Sequence, residues 1–474
     1  MSKKLFGTDG IRGVANTELT PELAFKLGRA VVACLPRETF ARQENSSSNE
    51  PCVRPRILIG RDTRRSGQMI EGALCAGITS AGADAVLAGI VPTPAVSLLL
   101  QDNLFVAGVV ISASHNPPQY NGLKVFLAGG KKLSDEQELQ VEELLHTDDV
   151  PLPMFCDNLD ECECRPSRPT GQRLGRIESF PGAADEYVAQ TVSVFPIDAL
   201  SGLKVVLDCG HGAASVTSPA AFRALGAELT VLNDDYNGDD INVGCGSTNL
   251  EVISRAVQSG SYDLGISHDG DADRMLAVDE SGNEIDGDHI MAICAKYLKE
   301  TGQMTNQPVV TTVMANLGFN KALEDLGIDL EITAVGDRYV LQRMYETDAI
   351  LGGEQSGHII LLQHNSTGDG LLSGLMLAMI VAKEKKPLSE LAQVMKSYPQ
   401  VLINVPVKSK DIESSAALQA ELAQATAKLG DSGRVLVRAS GTEKLIRVMV
   451  EASDADLAQS IADKLAASVK TELG

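Results

Sequence analysis

Three aspartates stand at alternate positions in Asp269-Gly270-Asp271-Ala272-Asp273-Arg274. In an extended loop that alternation lets three carboxylates converge on one point. Three hard oxygen ligands suit Mg2+, which commonly binds a few carboxylates together with a phosphate. A calcium loop of the EF-hand type opens in the same way, and a solvated acidic turn has the same composition. Arg274 and the apolar Met275-Leu276-Ala277-Val278 stand where the later calcium ligands belong, so Mg2+ is the expected ion. A second loop, Ser112-Ala113-Ser114-His115-Asn116-Pro117, sets a serine beside an imidazole and an amide after an apolar run. A serine so mounted could carry a phosphoryl group. The competing reading is that Ser114 and Asn116 only cap a turn before Pro117.

Two further loops offer binding groups and no activated nucleophile. Glu354-Gln355-Ser356-Gly357-His358 presents acceptors, a hydroxyl and an imidazole suited to sugar hydroxyls. Arg438-Ala439-Ser440-Gly441-Thr442, with Arg447 on the next strand, has the makings of a phosphate cradle. Glycine leaves backbone N–H groups approachable, and guanidinium groups take phosphate oxygens two at a time. Serine, metal loop, hydroxyl-binding loop and phosphate cradle together specify phosphoryl transfer to or from a sugar.

The elements that must position these loops recur three times along the chain. Ile57 to Asp62, Val205 to Gly210 and Val309 to Met314 are apolar strands running into polar loops. A helix-like stretch follows each and ends at a glycine turn: Ala81-Gly82-Ala83, Leu225-Gly226-Ala227, Leu326-Gly327-Ile328. A second strand comes next (Ala85 to Ile90, Leu229 to Leu232, Leu330 to Val335), and a third closes the unit (Ala107 to Ile111, Leu264 to Ile266, Ala349 to Leu351). Such alternation predicts α/β domains with largely parallel sheets, whose ligands gather at the carboxyl ends of strands. Each closing strand runs into one of the chemical loops, which points to a site assembled between domains. Beyond residue 388 the pattern changes to α+β: Val401 to Val407, a helix Ala416 to Leu429, Arg434 to Arg438, Leu445 to Glu451 and a helix from Ala455.

The 474 residues exceed what one core organises. No apolar run is long enough to span a bilayer, and the N-terminus shows no signal-peptide pattern, so a cytoplasmic location is expected. With 41 Lys+Arg against 63 Asp+Glu, the formal net charge is -22. That excludes nonspecific binding to nucleic acid or to a membrane surface, both anionic. An anionic substrate must then meet a local concentration of basic residues, for which Arg12, Lys124, Arg274, Arg338, Arg438 and Arg447 are the candidates. Nine scattered cysteines suit reduced thiols. Cys156, Cys162 and Cys164 cluster without a zinc spacing and read as part of a surface linker. Arg37 to Pro55 reads as a surface insertion.

These loops, with Gly7-Thr8-Asp9-Gly10-Ile11-Arg12-Gly13 and Gly336-Asp337-Arg338-Tyr339-Val340, resemble the α-D-phosphohexomutases over nearly the whole chain and in family order. The resemblance implies three similar mixed-sheet α/β domains (residues 1–170, 171–278 and 279–388) and a C-terminal α+β domain (389–474). It implies that Ser114 carries the phosphoryl group and, through it, completes the Mg2+ ligands beside Asp269, Asp271 and Asp273. Arg12, Lys124 and His115 fall among the catalytic groups, with Lys124 a candidate general acid or base. Glu354, Ser356 and the adjoining His358 match sugar readers. Arg438, Ser440, Gly441, Thr442 and Arg447 match a clamp on the non-reacting phosphate. Ala439 and Lys444 replace prolines of the family pattern, which makes the clamp loop less rigid.

The implied reaction is an isomerisation of a sugar phosphate by intramolecular phosphoryl transfer. Gln355 resembles the members acting on glucosamine phosphates, so glucosamine 6-phosphate and glucosamine 1-phosphate are the expected pair, in amino-sugar nucleotide and cell-wall precursor synthesis. Glucosamine 1,6-bisphosphate or glucose 1,6-bisphosphate would prime the serine. The alternatives are the same chemistry on glucose or mannose phosphates, and a metal-dependent sugar-phosphate phosphatase. The expected partners are small sugar phosphates, with a monomer or a homodimer both open.

Overall fold

The computed structural model describes residues 5–7, 9–36, 54–102, 104–147, 168–440 and 444–474. Residues 37–53 of the Arg37 to Pro55 insertion, the Cys156, Cys162 and Cys164 cluster, and Gly441 and Thr442 lie outside them. By packing, the chain divides into a larger unit, residues 1–313 and 331–392, and a smaller one, residues 314–330 and 393–474.

The larger unit holds the sheets of the three repeats. In its first sheet the strands lie in the order Ile11–Val14, Tyr120–Leu127, Ala107–Ile111, Arg56–Arg61, Asp84–Ile90 and Ile177–Ser179, with Lys131–Lys132 beside Tyr120–Leu127. The second sheet runs Glu284–Ile285, Met275–Asp279, Leu264–His268, Lys204–Asp208, Glu228–Leu232. The third runs Leu330–Thr333, Val309–Thr312, Leu351–Gly353, Ile359–Leu361. Helices Pro21–Ala33 and Gly67–Ser80 bury Leu27, Val31, Ile70 and Leu74 in the core of the first sheet.

The sheets are mixed, which refines the largely parallel expectation. Ala107–Ile111, Leu264–His268 and Leu351–Gly353 each pair with a parallel neighbour on one side. On the other side each pairs antiparallel with the strand that follows it. The physical reason is connection length. Residues 112–119, 269–274 and 354–358 are too few for a parallel crossover, which needs a dozen or more, so the chain can only turn back. The three chemical loops are therefore three equivalent reversals at the carboxyl ends of closing strands.

In the smaller unit Leu445–Ala452 lies between Gln400–Pro406 and Gly433–Ala439 in an antiparallel sheet. Helices Ala416–Leu429 and Ala455–Leu473 cover it, burying Leu418, Leu465, Ile446 and Val448. Helix Leu317–Asp325, read from sequence as part of the third repeat, is grouped here by packing. Its Leu317 N–H donates to the buried Glu451 carboxylate at 3.0 Å, which Arg434 also engages at 2.6 Å.

Candidate active site

Strand Ala107–Ile111 is buried along its whole length and delivers the serine loop rigidly. Ser114 is itself buried and takes a left-handed backbone with φ 52°. For a residue with a side chain that conformation persists only where the surroundings impose it. Its Oγ donates to Asp269 Oδ2 at 2.6 Å and lies 3.4 Å from His115 Nδ1. The metal loop has the same feature: Ala272, between Asp271 and Asp273, has φ 51°.

Asp269, Asp271 and Asp273 are buried and bring ligand oxygens within 4.8 Å of one another. Asp271 Oδ1 and Asp273 Oδ1 are buried with no hydrogen-bond partner. Their other oxygens are occupied: Lys124 Nζ lies 2.8 Å from Asp271 Oδ2 and 2.9 Å from Asp273 Oδ2. Thr93 fixes Asp271 as well, donating through Oγ1 to Oδ2 at 2.5 Å and through N–H to the carbonyl at 2.9 Å. Orphaned buried carboxylate oxygens are costly unless a partner arrives. The set of hard donors fits a small divalent cation.

Charge alternates around this cluster. Lys124 reaches Asp9 Oδ2 at 2.9 Å; Arg12 donates to the same carboxylate at 2.6 Å, as does Lys132 at 2.6 Å. Lys132 also pairs with Asp337, whose Oδ2 lies 3.7 Å from His358 Nε2. His358 Nδ1 stands 3.9 Å from Asp273 Oδ2, which closes a ring. Burial alone would lower the Lys124 ammonium, yet Asp271, Asp273 and Asp9 hold it well above its ordinary range, so it stays protonated. Burial, then Asp273 and Asp271, push the Asp269 carboxyl well up. Burial, with Arg274 and Arg12 nearby, lowers His115 to about 4 and keeps its imidazole neutral.

The third loop is more divided than its sequence implied. Ser356 is exposed and Glu354 half-buried, with Glu354 accepting the Gly336 N–H at 3.3 Å. His358 is buried, accepts the Gly368 N–H on Nε2 at 3.1 Å, and faces the metal loop. Gln355 donates to Asp286 Oδ2 at 3.1 Å. Arg338, expected in a basic cleft, is paired with Asp135, Glu138 and the Tyr339 hydroxyl.

In the smaller unit Arg438 and Arg447 sit directly opposite each other on adjacent antiparallel strands. Like charges in that position repel. Burial, then Arg447, pull the Arg438 guanidinium below its ordinary range. Arg447 Nε is buried without a partner. Ser440 closes the hairpin through its N–H to the Leu445 carbonyl at 2.9 Å, and Lys410 donates to the Ser440 carbonyl at 2.6 Å. Guanidinium groups so placed are chemically suited to an anion that offers two acceptor edges.

The sequence model of phosphoglucomutase/phosphomannomutase alpha/beta/alpha domain I matches residues 3–151, domain II 185–282, domain III 286–398, and the C-terminal domain 402–468. The chain belongs to this family. Among relatives of this phosphohexomutase, the phosphoglucosamine mutase of Clostridium novyi is 48% identical over 98% of both chains. That of Streptomyces griseus is 48% identical over 99% of this chain and 100% of its own. A phosphoglucomutase/phosphomannomutase family protein from Burkholderia thailandensis shares the fold with TM-score 0.78 at 23% identity, covering 99% and 98% of the two chains. An Aspergillus fumigatus N-acetylphosphoglucosamine mutase, solved with GlcNAc-6P and magnesium, has TM-score 0.69 at 18% identity, covering 98% and 95%. Family membership makes the chain an isomerase, an intramolecular phosphotransferase.

Sequence reasoning about this phosphohexomutase missed Thr93, Lys132 and the buried pair Asp62 and Arg64. Asp9, Asp337 and Arg12 lay within the resembling motifs, and Lys132 follows Gly129-Gly130-Lys131 without a motif of its own.

Proposed function

We propose that this chain is a phosphoglucosamine mutase interconverting glucosamine 6-phosphate and glucosamine 1-phosphate through phosphoserine 114. The observation that carries the reading is the Ser114 hydroxyl fixed 2.6 Å from Asp269 at the head of a three-carboxylate cluster. Relatives bearing that activity in their names, 48% identical over 98% or more of the chain, support the choice of sugar.

In the forward direction the Ser114 O–P bond breaks and a bond from phosphorus to O1 of glucosamine 6-phosphate forms. The proton leaves O1 and a proton returns to Ser114 Oγ, giving a 1,6-bisphosphate. After that molecule turns over, its 6-phosphoryl group passes to Ser114 and glucosamine 1-phosphate departs. Neutral His115, 3.4 Å from Oγ, has a nitrogen able to accept a proton. The Lys124 ammonium and the Arg12 guanidinium would offset charge on the phosphoryl oxygens. Asp269, Asp271 and Asp273 would hold Mg2+, which supplies further positive charge beside those oxygens. Glu354 and Ser356 would read sugar hydroxyls. Arg438, Ser440, Gly441, Thr442 and Arg447 would hold the phosphate that is not reacting. Glucosamine 1,6-bisphosphate or glucose 1,6-bisphosphate would load the serine.

The test is turnover on glucosamine, glucose and mannose 6-phosphates, with primer and Mg2+, scoring isomer against inorganic phosphate. Fastest isomerisation of glucosamine phosphate is the expected result. Faster turnover of glucose or mannose phosphate would move the assignment within the family. Release of phosphate without isomer would replace it with a phosphatase.

A further inference from the structure

The turn after strand Arg56–Arg61 carries an ion pair to which the proposed reaction gives no part. The side chains of Asp62 and Arg64 have no exposed surface. A guanidinium has five N–H donors, and protein groups take all five of Arg64. Nε donates to Asp62 Oδ2 at 2.8 Å; Nη1 donates to the carbonyls of Pro117 at 2.6 Å and Tyr120 at 3.1 Å. Nη2 donates to the carbonyls of Ser114 at 2.9 Å and Asn116 at 2.8 Å. Asp62 Oδ2 also accepts the Ser112 hydroxyl at 2.6 Å, and Ser112 Oγ accepts the N–H of Ser114 at 2.9 Å. The circuit begins and ends on Ser114, with its carbonyl on Arg64 and its N–H on Ser112.

An arginine that recognises phosphate needs donors to offer. Arg64 has none left, so substrate recognition is excluded. Nor does stability alone explain it, because a buried ion pair contributes little net against apolar residues of the same volume. Its remaining effect is on the backbone of the serine loop. Ser114 holds φ 52°, and the direction of its Oγ follows from that backbone. The same turn reaches the second sheet, whose closing strand leads into Asp269. Thr63 Oγ1 donates to the His211 carbonyl at 2.6 Å, and the Arg65 N–H to the Gly238 carbonyl at 3.3 Å. From that side Asn242 donates to the Ser114 carbonyl at 2.9 Å.

We propose that Asp62, Arg64 and Ser112 form a bracket that holds Ser114 in its left-handed conformation with Oγ on Asp269, which makes Arg64 and Ser112 positioning residues for phosphoryl transfer. The proposal rests on the reading of Ser114 as the phosphoryl carrier. A misplacement of about 1 Å costs roughly a hundredfold in rate, while groups that bind substrate stay where they were.

The decisive variant is Ser112→Ala, which removes one hydrogen bond and leaves Asp62 paired with Arg64. Arg64→Lys keeps the charge and loses the fork. For the full chain, the rate of Ser114 phosphorylation by glucose 1,6-bisphosphate is followed by peptide mass, together with kcat, KM and melting temperature. For Ser112→Ala the phosphorylation rate and kcat fall about ten- to a hundredfold, with KM within about twofold of wild type. Arg64→Lys shows the same split more strongly; if it does not fold, Ser112→Ala decides alone. Wild-type rates in Ser112→Ala, or a change confined to KM or to melting temperature, overturn the bracket and leave the mutase reading standing. A wild-type protein that takes no phosphate on Ser114 overturns both.

Discussion

Ser114 Oγ and Asp269 Oδ2 meet at 2.6 Å across 155 positions of sequence. The contact is possible because the residue after Asp269 is glycine. A Cβ at Gly270 would stand 2.7 Å from the Ser114 carbonyl and 2.7 Å from Ile241 Cδ1. The serine and metal loops thus approach backbone to backbone, and side-chain chemistry follows from that spacing.

Gly270→Ala is therefore expected to separate the two loops. Activity falls at least about tenfold, in line with the cost of small displacements at a reacting centre. Affinity for sugar phosphate, read as KM, changes little. Steady-state kinetics with circular dichroism to verify folding provide the check.

The chemical loops were legible in sequence because each follows a short apolar strand and packs several polar residues together. Strand Ala107–Ile111 and helix Ala416–Leu429 fall at the bounds read from sequence. What could not be read was pairing at long range. Lys132 meets Asp9 from 123 positions away in its own repeat, and Asp337 only because the first and third repeats are folded against each other. Arg64 carries no signal in sequence; its burial and its hydrogen bonds to the Ser114, Asn116 and Pro117 carbonyls mark it out. The pairing of Arg338 was hidden for the same reason: Asp135 and Glu138 come from a helix that local pattern does not place beside it.

Metal affinity should depend on the state of the serine. The aspartates leave Asp271 Oδ1 and Asp273 Oδ1 open, and a phosphate on Ser114 adds oxygens. Calorimetric titration should show Mg2+ binding more tightly to phosphorylated than to dephosphorylated protein, and chelation should stop turnover until Mg2+ is restored. Equal affinity in the two states would remove Ser114 from the metal site.

Lys124→Met strips the shared cation from Asp9, Asp271 and Asp273. Breaking a buried ion pair by removing one partner costs about 3–5 kcal/mol. Urea denaturation without Mg2+ should show a loss of that order. Added Mg2+ should recover part of it, because the ion neutralises the same carboxylates.

Arg447→Ala separates a phosphate clamp from a structural pair. Charge-assisted hydrogen bonds are worth about 1.5–3 kcal/mol each, so KM should rise by about one to two powers of ten. Because Arg438 faces Arg447 across the strands, removing one charge relieves repulsion, and the melting temperature should hold or rise. An unchanged KM with a lower melting temperature would refute the clamp.

The central claim is that Ser114 carries the phosphoryl group between the two ends of glucosamine phosphate. The direct measurement follows conversion of glucosamine 6-phosphate to glucosamine 1-phosphate by phosphorus NMR, with Mg2+ and a 1,6-bisphosphate primer, for wild type and Ser114→Ala. The account predicts steady isomerisation by wild type, with phosphate recovered on the Ser114 peptide, and almost none by the variant. Isomerisation by Ser114→Ala at a rate near wild type would contradict it.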